Sequence, residues 1–188
     1  MVVGKGCGIK GHGKNGVPGK AGENGLTQSA PCRDGLPGKD GHLGEPGKEA
    51  SNLSLYLSNF RINGSLLINV NGGDGGDGGQ GGRGGDGGSG TRVCTAGDGG
   101  NGGNGSPGSD GGHGGTVNIT CQHCPDLHLL LGEKLIIKNY GGFGGVGGDG
   151  GLGGQAGLGV KDGKNGQRGR DGKRANQGKT GSINLSKN

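Results

Sequence analysis

Glycine recurs at every third position over long stretches of this chain, and this period restricts its fold more than any other feature. The period is unbroken from 72 to 90 and from 99 to 114. It returns from 13 to 25, from 35 to 47, and from 142 to 181, where only Val160 and Ala175 interrupt it. A period of three matches an extended left-handed helix that rises about 3.1 Å per residue. In such a helix every third residue lies on the same edge, so the sequence predicts helices with a bare glycine edge.

The composition leaves little material for an ordinary hydrophobic core. Glycine supplies 58 of the 188 residues, and only 25% are hydrophobic. Such a composition is typical of disorder, but disordered linkers do not keep a strict period. We therefore expect the helices to bundle through backbone hydrogen bonds, with glycine where two backbones meet. A Cβ there would separate the backbones and leave buried polar groups unpaired, at about 1–3 kcal/mol each.

The glycine runs divide into six segments, which we call arms 1 to 6. They span 11–25, 35–47, 72–90, 99–115, 141–158 and 161–181. A GGX helix has two bare edges, whereas a GXY helix has one. Glycine density therefore predicts interior or two-sided positions for 72–90, 99–115 and 141–154, and flanking positions for arms 1, 2 and 6.

Two known repeat types resemble these runs. Residues 13–47 look like collagen, with Pro-Gly at 18–19, 37–38 and 46–47, but six prolines in the whole chain are too few for a triple helix. The stretches GGDGGDGGQGG and GGHGG resemble the polyglycine-II helical-bundle proteins, the repeat type of the snow-flea antifreeze protein. That resemblance implies a soluble bundle of threefold helices.

Short segments of alternating apolar residues separate pairs of arms. Leu53, Leu55 and Leu57 alternate with polar residues, and LLINV at 66–70, TVNIT at 116–120, LIIKN at 135–139 and SINLS at 182–186 are of the same kind. These patterns predict β-strands. The alternative, a helix over 127–138, is broken by Gly132. The predicted fold is thus a polyglycine-II helix bundle on a sheet or solenoid base of short strands, with essentially no α-helix.

The order of strands and arms indicates a tandem repeat of about 66–69 residues. We interpret 1–188 as one repeat array, in which 59–126 and 127–188 are full units and 1–58 is a half unit that ends in the strand 53–57. A unit of this kind buries its apolar face only against neighbours.

Cysteines lie at the turns between arms and near the strands. Cys32 and Cys94 each occupy a non-glycine interruption, at 26–34 and 91–96, so we predict that they pair at neighbouring arm tips. Cys7, Cys121 and Cys124 belong near the base, and an odd fifth cysteine implies a free or intermolecular thiol. The spacing leaves open a disulfide, a free thiol, or zinc held by Cys121 and Cys124 with His123 and His128.

The charged side chains of the arms have simpler interpretations. Asp74 and Asp77 stand about 9 Å apart along one helix, and Asp86 lies about 28 Å further on, all too far apart to share a calcium ion, so they are expected to be solvated or salt-bridged. The histidines at 12, 42 and 113 are expected to be solvated too. A basic stripe at 161–179 predicts contact with a glycan or another polyanion. No aromatic residue interrupts the stripe, so we expect no nucleic-acid partner.

We expect no catalytic site, cofactor or metal, because no constellation of reactive side chains recurs, and no membrane segment, because no long apolar run occurs. Candidate N-glycosylation sequons begin at Asn52, Asn63, Asn104, Asn118 and Asn184. With the cysteines they favour an extracellular protein. The expected function is a non-enzymatic structural repeat module that self-assembles into a fibre, matrix or appendage. The alternative is an ice-binding protein or an adhesin that presents the arms.

Overall fold

A computed structural model describes residues 2–3, 7–124 and 127–187. Short strands and long glycine segments make up most of it. The strands are β1 (Val2–Val3), β2 (Cys7–Lys10), β3 (Leu53–Asn59), β4 (Arg61–Ile62), β5 (Leu66–Asn69), β6 (Val117–His123), β7 (Leu135–Lys138) and β8 (Ile183–Lys187). Among the described residues the only helix is α1 (Leu127–Leu130). The expectation of short strands with essentially no α-helix is therefore confirmed.

The longer strands form two parallel three-stranded sheets, in the orders β2-β5-β7 and β3-β6-β8. In the first sheet Leu66 lies beside Cys7 on one side and Leu135 on the other. In the second sheet Val117 lies between Leu53 and Ile183. Strands β1 and β4 form a short parallel pair. We call the two three-stranded sheets the strand base.

The apolar side chains of the two sheets form one core. Leu66, Ile68, Val117 and Ile119 are fully buried, and they alternate with residues that reach the surface. This alternation is the signature on which the strands were predicted. Strand β2 was not predicted, because Gly8 interrupts its apolar pattern. Strand β3 also continues two residues beyond the expected 53–57.

The arms continue the two sheets as two layers. Arms 1, 3 and 5 follow β2, β5 and β7, and arms 2, 4 and 6 lead into β3, β6 and β8. Within a layer neighbouring arms run parallel and bond at every third residue. Gly16 N–H donates to Asp74 O at 2.7 Å, and Gly75 N–H donates to Phe143 O at 2.8 Å.

Bonds between the layers join antiparallel arms. Gly76 N–H donates to Glu45 O at 2.9 Å, and Gly112 N–H donates to Gly73 O at 2.8 Å. Within the described part of the chain, arms 3 and 4 each bond to four other arms, arms 2 and 5 to three, and arms 1 and 6 to two. The glycine-rich arms 3 and 4 are thus interior, as their density predicts. Arm 2 bonds to three arms although only every third of its residues is glycine.

The packing between neighbouring arms, both between the layers and within a layer, explains why glycine is required. A Cβ built on Gly78 would lie 2.0 Å from the carbonyl oxygen of Ser106 in arm 4, and one built on Gly103 would lie 2.0 Å from that of Lys39 in arm 2. No side chain fits at such distances. The bundle therefore depends on bare backbone, with the apolar core confined to the strand base.

Candidate functional site

Outward-facing side chains join the arms within each layer. Asp74 Oδ1 accepts the backbone N–H of Phe143 at 2.7 Å, and Asp77 Oδ1 accepts that of Val146 at 2.7 Å. In the other layer Asp98 Oδ1 accepts the N–H of Lys164 at 2.7 Å. We call these side chains the acceptor rows. They supply partners to N–H groups at the outer faces of the layers.

The acceptor rows correct the expectation that these polar side chains are merely solvated or salt-bridged. Asp86 has both roles, because its Oδ1 accepts from Gln155 N–H and also pairs with Arg83. His113, expected to be solvated, accepts the N–H of Lys179 at its Nδ1, at 2.9 Å. The physical reason is register. Each of these residues lies opposite a backbone donor of the next arm, which the local sequence does not reveal.

The rows end at arms 5 and 6, which have no further neighbour in their layers. In arm 5 four of the six corresponding positions carry exposed apolar side chains, at Phe143, Val146, Leu152 and Leu158, and the other two are the exposed Asp149 and Gln155. Two N–H groups of arm 5 are instead bonded by arm 6, since Asp171 Oδ1 accepts from Gly150 and Asn165 Oδ1 accepts from Ala156, both at 2.8 Å. Side chains of arm 6 therefore bond part of the backbone of arm 5.

Arm 6 carries the predicted basic stripe. All seven basic residues between 161 and 179 are exposed. Arg168 forms an ion pair with Asp171 at 2.8 Å. Asp162, the other acidic residue of the segment, accepts the N–H of Gly159 at 2.9 Å. Because seven basic residues stand against only two carboxylates, the stripe keeps a strong excess of positive charge.

An exposed ion pair links arms 1 and 2. Lys39 Nζ lies 2.6 Å from Glu23 Oε2. The hydrogen bond from Lys39, assisted by its charge, lowers the pKa of the Glu23 carboxyl below its ordinary value. The same contact raises the pKa of the Lys39 ammonium.

A disulfide joins two arm tips. Cys32 and Cys94 are bonded across 62 residues, with their Cα atoms 6.0 Å apart. Cys32 has a left-handed backbone, with φ of 63°, in the turn between arms 1 and 2. Its N–H donates to Ser89 O at 2.9 Å, which fixes this turn against the end of arm 3.

The other three cysteines lie in the strand base. Cys121, in β6, is fully buried and is bonded to Cys124 only three residues later. Both line an open cavity of about 290 Å³, together with His128, Leu185 and Lys187. Cys7, at the start of the edge strand β2, is a free and exposed thiol.

The chemistry of the base does not resemble a metal centre. Of the ligands considered for zinc, Cys121 and Cys124 are in a disulfide, and His123 lies at the end of β6. Among the described residues no group of three or more histidine, cysteine or acidic side chains is arranged to hold a metal ion.

The candidate glycosylation residues differ in their contacts. Asn52 and Asn104 belong to the acceptor rows, where they accept the N–H groups of Thr116 and Arg170. Asn184 donates to Asn118 across β8 and β6 at 2.8 Å. Asn63 is exposed in the bend between β4 and β5.

Comparisons with known proteins give a weak likeness to a solved structure. No protein-family model matches the chain, and no curated protein sequence matches it. A springtail antifreeze protein from Granisotoma rainieri, a bundle of nine polyproline type II helices, is similar at 25% identity, over 86% of this chain and 94% of that one. The TM-score is 0.14, so the fold described above rests on the contacts of this chain alone. Within the described residues no helix is long and apolar enough to span a membrane.

Proposed function

We propose that this chain is a non-enzymatic, extracellular structural module that self-associates through its strand base. In this proposal the arms are polyglycine-II helices that form a rigid slab, and 1–188 is a tandem array. The observation that carries the proposal is that, among the described residues, β2, β3 and β8 each pair with a strand on one side only, while at β7 the turn at 131–132 also contacts Leu135.

Regular bonding supports the polyglycine-II assignment. Successive donors along arm 1, at Gly16, Gly19 and Gly22, reach arm 3 at acceptors that are also three residues apart. A left-handed helix with three residues per turn repeats its direction at this interval. The strand registers support the array, since Leu66 pairs with Leu135 and Val117 pairs with Ile183, at separations near the proposed unit length.

The edge strands supply the surface for association. Strands β3 and β8 flank the second sheet, and Leu55 and Leu185 are only partly buried against the core. An edge strand presents unpaired N–H and C=O groups that pair readily with another chain. The edges at the two ends belong to different strands, so contact between copies is head-to-tail, and such contacts give filaments when they do not close into rings.

Three further parts of the proposal, the extracellular environment, the non-enzymatic role and the glycan partner, rest on the chemistry of the side chains. The two disulfides suit an oxidising, extracellular environment. The polar groups of the arms largely bond one another, which leaves a slab without a reactive constellation and argues for a non-enzymatic role with no cofactor. The exposed basic stripe of arm 6 is suited to a polyanionic glycan of a matrix.

A proline substitution on β3 tests whether the outer edge of this strand forms the contact between copies. Leu53 N–H donates to Thr116 O in the neighbouring strand region, so the N–H of Tyr56, three residues on, faces away from β6. Its side chain is 80% exposed. Tyr56→Pro removes an outward donor and no sheet bond, whereas Tyr56→Ala removes the side chain and keeps the donor.

Sedimentation equilibrium over a wide concentration range measures the result. The wild type and Tyr56→Ala are expected to associate, and Tyr56→Pro is expected to shift toward monomer by at least tenfold in dissociation constant. A wild type that stays monomeric at millimolar concentration contradicts the structural role.

Ice binding is the second candidate function. It is favoured by the row of Phe143, Val146, Leu152 and Leu158, whose spacing is a multiple of three residues on one face of the slab. The charged acceptor row of arm 3 lies beside it and disfavours this role. Thermal hysteresis at micromolar protein, lost in Val146→Lys and kept in Lys164→Ala, would establish ice binding instead.

A further inference from the structure

Three cysteines lie on the side of the strand base that points away from the arms. They form two sites that can react with each other. Strand β2 begins at Cys7 and runs toward arm 1, whereas β6 and β8 run away from the arms and end near Cys121 and Lys187. We propose that the Cys121–Cys124 disulfide is exchangeable and accepts the Cys7 thiolate of a second copy, which joins copies covalently. This inference rests on the proposed association through the base.

The Cys121–Cys124 bond is poorly suited to a purely structural role. A disulfide stabilises a fold mainly by restricting the unfolded chain, and this effect grows with the length of the closed loop. Cys32 and Cys94 are 62 residues apart, but Cys121 and Cys124 are separated by three. Strand β6 is moreover held already by strands on both sides, β3 and β8. A role in exchange explains the short disulfide better.

The cavity makes one sulfur of this disulfide accessible. Cys121 is fully buried, so an attacking thiolate reaches Cys124, which is partly exposed and lines the open cavity of about 290 Å³. Lys187 lines the same cavity and brings positive charge to it. A cation near a reacting sulfur favours the thiolate form.

The arrangement of the strands brings the two sites together in a head-to-tail pair. Cys7 is on β2, which is the edge strand on one lateral side of the first sheet. The cavity borders β8, which is the edge strand on the opposite lateral side of the base. When β2 and β3 of one copy lie beside β7 and β8 of another, the exposed Cys7 approaches the side on which the cavity lies. Both sites also lie on the side of the base that points away from the arms. Two copies whose strands run in the same direction therefore bring the two sites to the same level.

The exchange is balanced without an external oxidant. The Cys7 thiolate attacks Cys124 Sγ, the Cys121–Cys124 bond breaks, and an intermolecular Cys7–Cys124 bond forms. Cys121 leaves as a thiolate and takes up the proton that Cys7 released. One disulfide replaces another, and each joined pair keeps its number of free thiols.

Incubation of concentrated protein under argon, without oxidant, tests the exchange. Non-reducing gels and peptide mapping are expected to show oligomers linked through Cys7 and Cys124, while alkylation moves from Cys7 to Cys121 and the total thiol count stays constant. Cys7→Ser, which lacks the nucleophile, and the double variant Cys121→Ser/Cys124→Ser, which lacks the acceptor, should both remain unlinked.

Sedimentation of Cys7→Ser separates this inference from the proposed function. If Cys7→Ser associates reversibly but the wild type forms no covalent link, the exchange is refuted and the structural role stands. Disulfides between the Cys7 residues of two copies, with a fall in the total thiol count, also refute the exchange, because they result from oxidation. If Cys7→Ser does not associate and no link forms in the wild type, both proposals fail.

Discussion

Replacing Gly78 with alanine tests whether bare backbone holds the slab together. The new Cβ would lie 2.0 Å from Ser106 O and 2.6 Å from Pro107 O. A carbon and a carbonyl oxygen ordinarily approach no closer than about 3.3 Å, so arms 3 and 4 must separate by more than an ångström. This movement breaks the bond that joins these two arms beside Gly78, from Ser106 N–H to Gly79 O, which is 2.9 Å long.

The cost follows from the donor and the acceptor that this broken bond leaves unpaired. Ser106 is buried, so water does not replace the lost partners well. Two unpaired groups at about 1–3 kcal/mol each give a loss of about 2–6 kcal/mol. Alanine also restricts the unfolded chain, which offsets roughly 0.4–1 kcal/mol. We expect Gly78→Ala to lower the free energy of unfolding by about 1–5 kcal/mol, a large part of the stability of a typical domain.

Urea unfolding followed by circular dichroism measures the loss against two controls. A Cβ on Gly11 would meet its nearest atom, in the Val70 side chain, at 3.4 Å, so Gly11→Ala should be tolerated. Gln80 is exposed, and Gln80→Ala should change stability by less than about 0.5 kcal/mol. Equal unfolding midpoints for Gly78→Ala and Gly11→Ala would refute the idea that backbone contact stabilises the bundle.

Further predictions concern the acceptor rows, the disulfides and the ion pair. Asp77→Ala should lower the unfolding free energy by about 1 kcal/mol, because Val146 N–H loses its acceptor, and Asp77→Asn should largely preserve it; both are measurable by urea unfolding. Cys32→Ser/Cys94→Ser should cost up to about 4 kcal/mol and Cys121→Ser/Cys124→Ser about 2 kcal/mol by loop length; equal thermal shifts would contradict this order. The pKa of Glu23, measured by NMR titration, should lie below its ordinary value and return toward it in Lys39→Ala. Because folding lowers that pKa, the ion pair makes a small contribution to the free energy of unfolding. This contribution is present when the pH is above the ordinary pKa of Glu23, and it is lost as the pH falls through the lowered pKa.

The strands were predictable because their signal is local. Leu53, Leu55 and Leu57 alternate with polar residues in a single stretch, and the structure makes this stretch a strand. Strand β2 could not be found in this way, because CGIK contains a glycine and one clear apolar residue. It becomes a strand because its backbone pairs with β5, which is a tertiary effect.

The acceptor rows could not be predicted because they depend on register between distant segments. Asp74 accepts from Phe143, 69 residues away, and Asp98 accepts from Lys164, 66 residues away. Taken alone, GGD is equally compatible with a solvated edge. The signal in the sequence is the equality of these separations with those of the paired strands, since Leu66 lies beside Leu135 and Val117 beside Ile183.

Native-state hydrogen exchange of arm 3 tests the central claim most directly. If glycine backbone forms the interior of the slab, the N–H groups of Gly76, Gly79 and Gly82, each bonded to arm 2, should exchange as slowly as that of the buried Ile119 in the strand base. All four should then exchange through global unfolding, with the same free energy. Exchange of the arm 3 glycines at the rate of an unstructured peptide, while Ile119 stays protected, would contradict the account.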